Sequence, residues 1–151
     1  MAQQAVPTAD ITDGGWLDDG GAATLFAHIV PLVPGAIDGS DDATWIQSGS
    51  APSADPVAMH LSDPEDPAVS TGHIMRWRRG KDVAGGAAID LTVQLRMGYT
   101  GEGDLQTEIT SQTDADIPDA LTTTSYTLAG GEADSITDYT DLQMRILANQ
   151  P

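Results

Sequence analysis

An all-β fold, an antiparallel β-sandwich or jelly roll, is what this sequence predicts, and three observations carry the prediction. Apolar and polar residues alternate with a period of two in several short segments, most clearly at 89–97. The 16 glycines and 9 prolines fall almost wholly between those segments, where turns need them. Helical spacing is confined to one stretch near the N-terminus, too little for an α/β winding.

Taken in order, residues 1–13, MAQQAVPTADITD, have weak periodicity and one proline. They are expected to form an extended N-terminal arm, with 14–151 a single sandwich domain. Gly14-Gly15-Trp16 opens that domain. In AATLFAHIV at 22–30, Leu25, Phe26 and Ile29 share a helical face, which predicts one short helix. Pro31, Pro34 and Gly35 then mark a loop. TWIQSG at 44–49 and VAMHLS at 57–62 are short strand candidates. Pro64 and Pro67 bar a central strand from the polar turn at 63–72. GHIMRWRR at 72–79 reads as a strand with Trp77 facing the core beside Met75, and RGKDVAGG at 79–86 as a hairpin connection.

AIDLTVQLRMG is the clearest element. Ile89, Leu91, Val93, Leu95 and Met97 alternate with Asp90, Thr92, Gln94 and Arg96, the pattern of a half-buried antiparallel strand. LQTEIT at 105–110 and TTTSYTLA at 122–129 follow as strands, the second from its β-branched and aromatic content. GGEADSI at 130–136 suggests a helical turn. LQMRILA at 142–148 closes the domain with Leu142, Met144 and Ile146 on one face.

Composition narrows the function. The formal charge is −17, from 23 acidic and 6 basic residues, and Lys81 is the only lysine. A field of that sign repels phosphate backbones and anionic membranes, so neither nucleic acid nor membrane is an expected partner. The same bias fits a saline habitat or a GC-rich genome equally well. Cysteine is absent, which removes disulfides and thiolate metal sites. No apolar stretch approaches the roughly 20 residues of a membrane span. The first twenty residues lack a basic start followed by an apolar run, so use without crossing a membrane by the usual route is expected.

Chemistry-bearing patterns are sparse. His28, His60 and His73 fall on separate elements with no ligand spacing between them. Three acidic clusters offer oxygens for calcium: Asp38, Asp41 and Asp42; Asp63, Glu65 and Asp66; Asp114 and Asp116. The first is the best placed, but none follows the order of a calcium loop. In a chain this acidic, chance proximity carries more weight than a site. A glycan hydrolase needs two carboxyls across an aromatic-lined cleft, and only Trp16, Trp45 and Trp77 are available. No nucleophile elbow, phosphate loop or dinucleotide fingerprint occurs. An enzyme is therefore not expected, and no cofactor is implied.

The five arginines are the least random feature. Arg76 and Arg78 share a strand face, Arg96 and Arg145 lie on the polar faces of theirs, and Arg79 completes the set. If those strands are neighbours, Arg76, Arg78, Arg96 and Arg145 gather on one outer face. They could contact a neighbouring acidic subunit. The plainer reading, cross-strand pairing with Asp90 or Glu108, is favoured.

STGHIMRWRR, GGAAIDLTVQLRMG and the close TTTSYTLAGGEADSITDYTDLQMRILANQ together resemble a family of tailed-phage structural proteins. Its members share a TGH-led strand, an IDLTVxL strand and an ADxITDYxDLxxR close. The resemblance spans roughly residues 14–150. It departs at GYTGEGDLQTEI, where the family has a Trp- or Thr-rich strand. What it implies is a β-sandwich of the virion in which His73, Arg76, Asp138 and Asp141 brace strands and the last turn. The leading expectation is a capsid decoration (cement) protein on the outer surface of the head, bridging major capsid protein subunits. Self-association as a trimer is expected ahead of a dimer, with the arm at 1–13 as a strap. The alternative is a carbohydrate- or receptor-binding module of a tail or fibre, which requires exposed aromatics among Trp45, Trp77 and Tyr99.

Overall fold

The computed structural model of the chain describes residues 3–21, 25–29, 44–82, 86–98 and 107–151. Nine strands are found among them: β1 (Pro7–Thr12), β2 (Leu17–Asp18), β3 (Ile46–Gln47), β4 (Ser53–Leu61), β5 (Ile74–Arg79), β6 (Asp90–Met97), β7 (Thr107–Asp114), β8 (Thr122–Thr127) and β9 (Leu142–Asn149). One five-stranded antiparallel sheet runs β1-β4-β9-β6-β7; two ribbons, β2-β3 and β5-β8, stand apart from it. The all-β, sandwich-like class follows directly.

The alternation at 89–97 sets the core. Leu91, Val93 and Leu95 are buried on β6 and lie opposite Ala148, Ile146 and Met144 of β9. Across β9, Ile146 and Met144 oppose Val57 and Met59 of β4, both buried. This inner face receives Met75 and Trp77 of β5 in the same apolar cluster. Each such side chain removed from water contributes roughly 1.5–3 kcal/mol. A polar contact joins the layers as well: Asp114 Oδ2 on β7 accepts from Trp77 Nε1 at 2.9 Å and from Arg79 Nε at 2.7 Å. Trp77 therefore faces the core beside Met75 as its alternation predicts.

Three expectations need correction. The segment 1–13 is not an arm. Pro7–Thr12 pairs with β4, and the pairing extends outward through Val6 and Ser62, which exchange two bonds. Gln3 reaches further, donating to the Glu65 carbonyl and accepting from the Glu65 N–H. The sequence hid this strand because Asp10 occupies an inward position, opposite Met59. It is used there: its two carboxylate oxygens accept from the Leu25 and Phe26 N–H groups, each at 2.8 Å.

The helix expected at 22–30 is, among the described residues, a single 3-10 turn at Phe26–His28. Asp10 caps its first amides from another strand, so a short turn is held without a helix of its own. Third, RGKDVAGG is not a hairpin, because β5 pairs with β8 and β6 with β7 and β9. Lys81 N–H donates to the Pro118 carbonyl at 2.8 Å, which ties the end of β5 to the segment that leads into β8.

The close of the chain is more local. The helical turn expected at 130–136 is present as α1 (Gly130–Asp134). Glu132 Oε2 accepts from the Ala129 N–H at 2.7 Å and from Tyr126 Oη at 2.9 Å. Burial pushes this carboxyl up, but the bonds from Thr110, Ala129 and Tyr126 outweigh it and hold the group below its ordinary value. Asp138 then caps a 3-10 turn at Tyr139–Asp141.

Candidate interaction surface

The sheet order decides which arginines meet. β6 and β9 are neighbours, and Arg145 lies opposite Gln94 while Arg96 lies opposite Gln143. Gln94 Oε1 accepts from Arg96 Nη1 at 3.1 Å and from Arg145 Nη1 at 3.3 Å. Gln94 Nε2 donates to Glu108 Oε2 at 2.8 Å, and Arg96 Nη1 lies 3.5 Å from that carboxylate. The Arg96 side chain keeps only 12% of its exposure. Arg96 and Arg145 are thus woven into the outer face of the five-stranded sheet.

Arg76 and Arg78 are elsewhere. Their strand belongs to the β5-β8 ribbon, where they oppose Ser125 and Thr123. The opposite face of that ribbon, Met75 and Trp77, is buried in the core. The two pairs therefore point away from opposite layers, and the single four-arginine face does not form. Of the four, only Arg78 is exposed; Arg76, Arg96 and Arg145 are half-buried. The plainer expectation of cross-strand pairing holds for Arg96 with Glu108.

The acidic clusters divide in the same way. Asp38, Asp41 and Asp42 lie outside the described residues. Asp114 serves Trp77 and Arg79, and Asp116 Oδ1 accepts from Lys81 Nζ at 2.7 Å. That bond, with the lysine charge, holds the Asp116 carboxyl below its ordinary value and raises Lys81. Asp66 Oδ1 accepts from the Ala68 N–H at 2.7 Å. No group of three or more His, Asp or Glu suited to a metal ion occurs among the described residues.

Each histidine has separate business. His28 lies 2.6 Å from Asp19 Oδ1 through Nδ1 and 3.3 Å from Asp18 Oδ2 through Nε2. His73 Nε2 shares a 2.7 Å hydrogen bond with Tyr139 Oη. His60 is half-buried on β4. Of the four residues that the resemblance casts as braces, His73 bonds Tyr139, Arg76 lies opposite Ser125 on the ribbon, Asp138 accepts from Thr140 N–H and Oγ1, and Asp141 accepts from Gln143 Nε2.

One open hollow of about 230 Å³ is lined by Asp66, Val69, Ser70, Asp134, Ile136 and Tyr139, among others. Burial, then the charges of Asp66 and Asp134, push the Tyr139 phenol up. Both acids are exposed, and Tyr139 is the one aromatic ring on the wall. Nothing in this arrangement sets an acid and a base across a buried cleft.

The sequence reading missed a small apolar face. Leu17 and Asp18 of β2 pair with Gln47 and Ile46 of β3, and the Asp19 N–H donates to the Trp45 carbonyl. Asp18 turns inward, while Leu17 and Trp45 stay 39% and 46% exposed. Two-residue strands carry no readable period, so only the isolated tryptophan signalled it. Comparison of the chain with protein-family models, with curated proteins and with solved structures finds no match to any of them.

Proposed function

We propose that this chain is a decoration, or cement, protein of a tailed-phage head, which binds the outer surface of the assembled capsid and bridges major capsid protein subunits. The observation that carries the reading is the closing segment 133–145. ADSITDYTDLQMR resembles the close of the phage structural family, and its Asp138 and Asp141 accept hydrogen bonds from Thr140 and Gln143 within the same segment. The charge of −17 supports an outside position, since packed DNA repels it. A sandwich-like β fold suits a protein that recognises a shell only once assembled and stabilises it by mass action.

Adding the purified chain to heads that lack it tests the reading. Saturable binding is expected, with added density outside the shell and a higher disruption temperature. Failure to bind heads at any stage of maturation overturns it. Those assays need no arm deletion, because residues 7–12 belong to the sheet.

The second reading, a carbohydrate- or receptor-binding tail module, is favoured by one observation. Trp45 is exposed beside Leu17. Trp77 is buried and Tyr99 lies outside the described residues, so one ring carries it. Glycan-array binding that disappears in Trp45→Ala would turn the assignment toward this module.

A further inference from the structure

The β5-β8 ribbon leaves an open edge, and its hydrogen bonds show which backbone groups lie on it. The Leu128 N–H donates to the His73 carbonyl at 2.9 Å. Bonded pairs alternate along an antiparallel ladder. With Ile74 opposite Thr127 and Arg79 opposite Thr122, the backbones of Thr122, Thr124 and Tyr126 face β5. Those of Thr123, Ser125 and Thr127 face away. Among the described residues no strand pairs with that side, and their backbone groups enter no turn or loop bond.

Other edges of this fold are guarded in the ways sheets usually are. β1 carries Pro7, Asp10 and two register shifts. β7 carries Glu108, Asp114 and a shift against β6. β5 carries Arg76 and Arg78. β8, TTTSYT, has no charge and no proline, and its register is uninterrupted. Charge singles out the same place. The chain has 23 acidic residues, yet neither ribbon strand contains one. Two copies, each at −17, repel wherever carboxylates meet, and this strip is where they can approach.

We propose that β8 pairs with β8 of a second copy of this chain, antiparallel about a two-fold axis at Ser125. Ser125 then opposes Ser125, and Thr123 opposes Thr127. Thr123, Ser125 and Thr127 each exchange two N–H···O=C bonds with the residue opposite, and the two ribbons become one four-stranded sheet. The exposed row of Thr123, Ser125 and Thr127 places hydroxyl beside hydroxyl, a favourable cross-strand pairing. The strand meets its own copy with like residues throughout, as an isologous contact requires. This inference does not depend on the capsid reading, and its symmetry differs from the trimer expected from sequence.

Sedimentation and native mass spectrometry of the full chain test it. A dimer is expected at about 100 μM, dissociating on dilution. Ser125→Pro removes an N–H that β5 does not use, so the ribbon ladder keeps its bonds; Thr127→Lys puts a charge on the edge. Each is expected to weaken dimerisation at least about tenfold, with circular dichroism showing a retained fold. Hydrogen exchange on the unmodified chain gives an answer independent of any variant: the Ser125 and Thr127 amides should exchange slowly when concentrated and quickly when dilute. A monomer at every concentration, a trimer, edge amides indifferent to dilution, or a dimer insensitive to Thr127→Lys each overturns the proposal.

Discussion

Gly14 shows how much a single position can demand. Its φ is +54°, and a Cβ there would stand 1.5 Å from the Pro56 carbonyl oxygen. That oxygen belongs to β4, a strand paired with β9 at this point, and cannot retreat without breaking the sheet. Gly14→Ala is expected to cost about 3 kcal/mol or more in urea unfolding. Ala54 has the opposite problem, a non-glycine residue at φ 58°. Left-handed backbone costs alanine roughly 1–2 kcal/mol, and glycine returns about half of that gain as chain entropy. Ala54→Gly should therefore stabilise by about 0.5 kcal/mol, measured by the same denaturation. No change, or a loss, would show that the bend at the start of β4 is unstrained.

At the scale of elements, what could be read beforehand depended on length and on who the neighbours were. β6 was legible because its burial alternates along the strand, and β9 because Leu142, Met144 and Ile146 are spaced by two, although Gln143 between them is buried as well. β8 was legible from its β-branched run. β1 was not, because Asp10 turns inward to cap the 3-10 turn and spoils the alternation. The ribbon was misread since chain adjacency suggested β5 with β6, whereas pairing joins β5 to β8, more than forty residues on. The arginine face failed with it: parity along each strand was readable, sheet membership was not. Removing residues 1–12 tests the status of β1. It strips a paired strand from β4 and bares Met59 and Leu61, so aggregation seen by light scattering is expected, not merely weaker particle binding. A soluble, cooperatively folding truncation would return this segment to the status of an arm.

For the molecule as a whole, charge is the dominant variable. At 23 acidic against 6 basic residues, repulsion outweighs the few ion pairs. Added salt shortens the screening length from about 30 Å at 0.01 M to about 8 Å at 0.15 M. The melting temperature should therefore rise, by about 3 °C if screening recovers about 1 kcal/mol. Acid works in two directions. Protonating the unpaired carboxylates relieves repulsion. Asp116 and Asp138, however, are held below their ordinary value of 3.8, Asp138 by the hydroxyl and N–H of Thr140, and Glu132 below 4.5. A depressed carboxyl contributes stability above its unfolded value and loses it as pH falls through the folded one. Urea midpoints should hold or rise from pH 7 to about 4.5, then fall below pH 4. A midpoint still rising at about pH 3 would show that repulsion alone governs acid behaviour.

The order of the main sheet also bears on how the chain reaches its native state. β9, the last of the nine strands in sequence, lies between β4 and β6. Neither half of the sheet can close on the other until that strand has been made and inserted, and β4 and β6 each wait with one edge unpaired. Contacts of such sequence separation make folding slow, on the millisecond-to-second scale. While β4 and β6 lack their central partner, the electrostatic repulsion of a −17 chain opposes aggregation through those open edges.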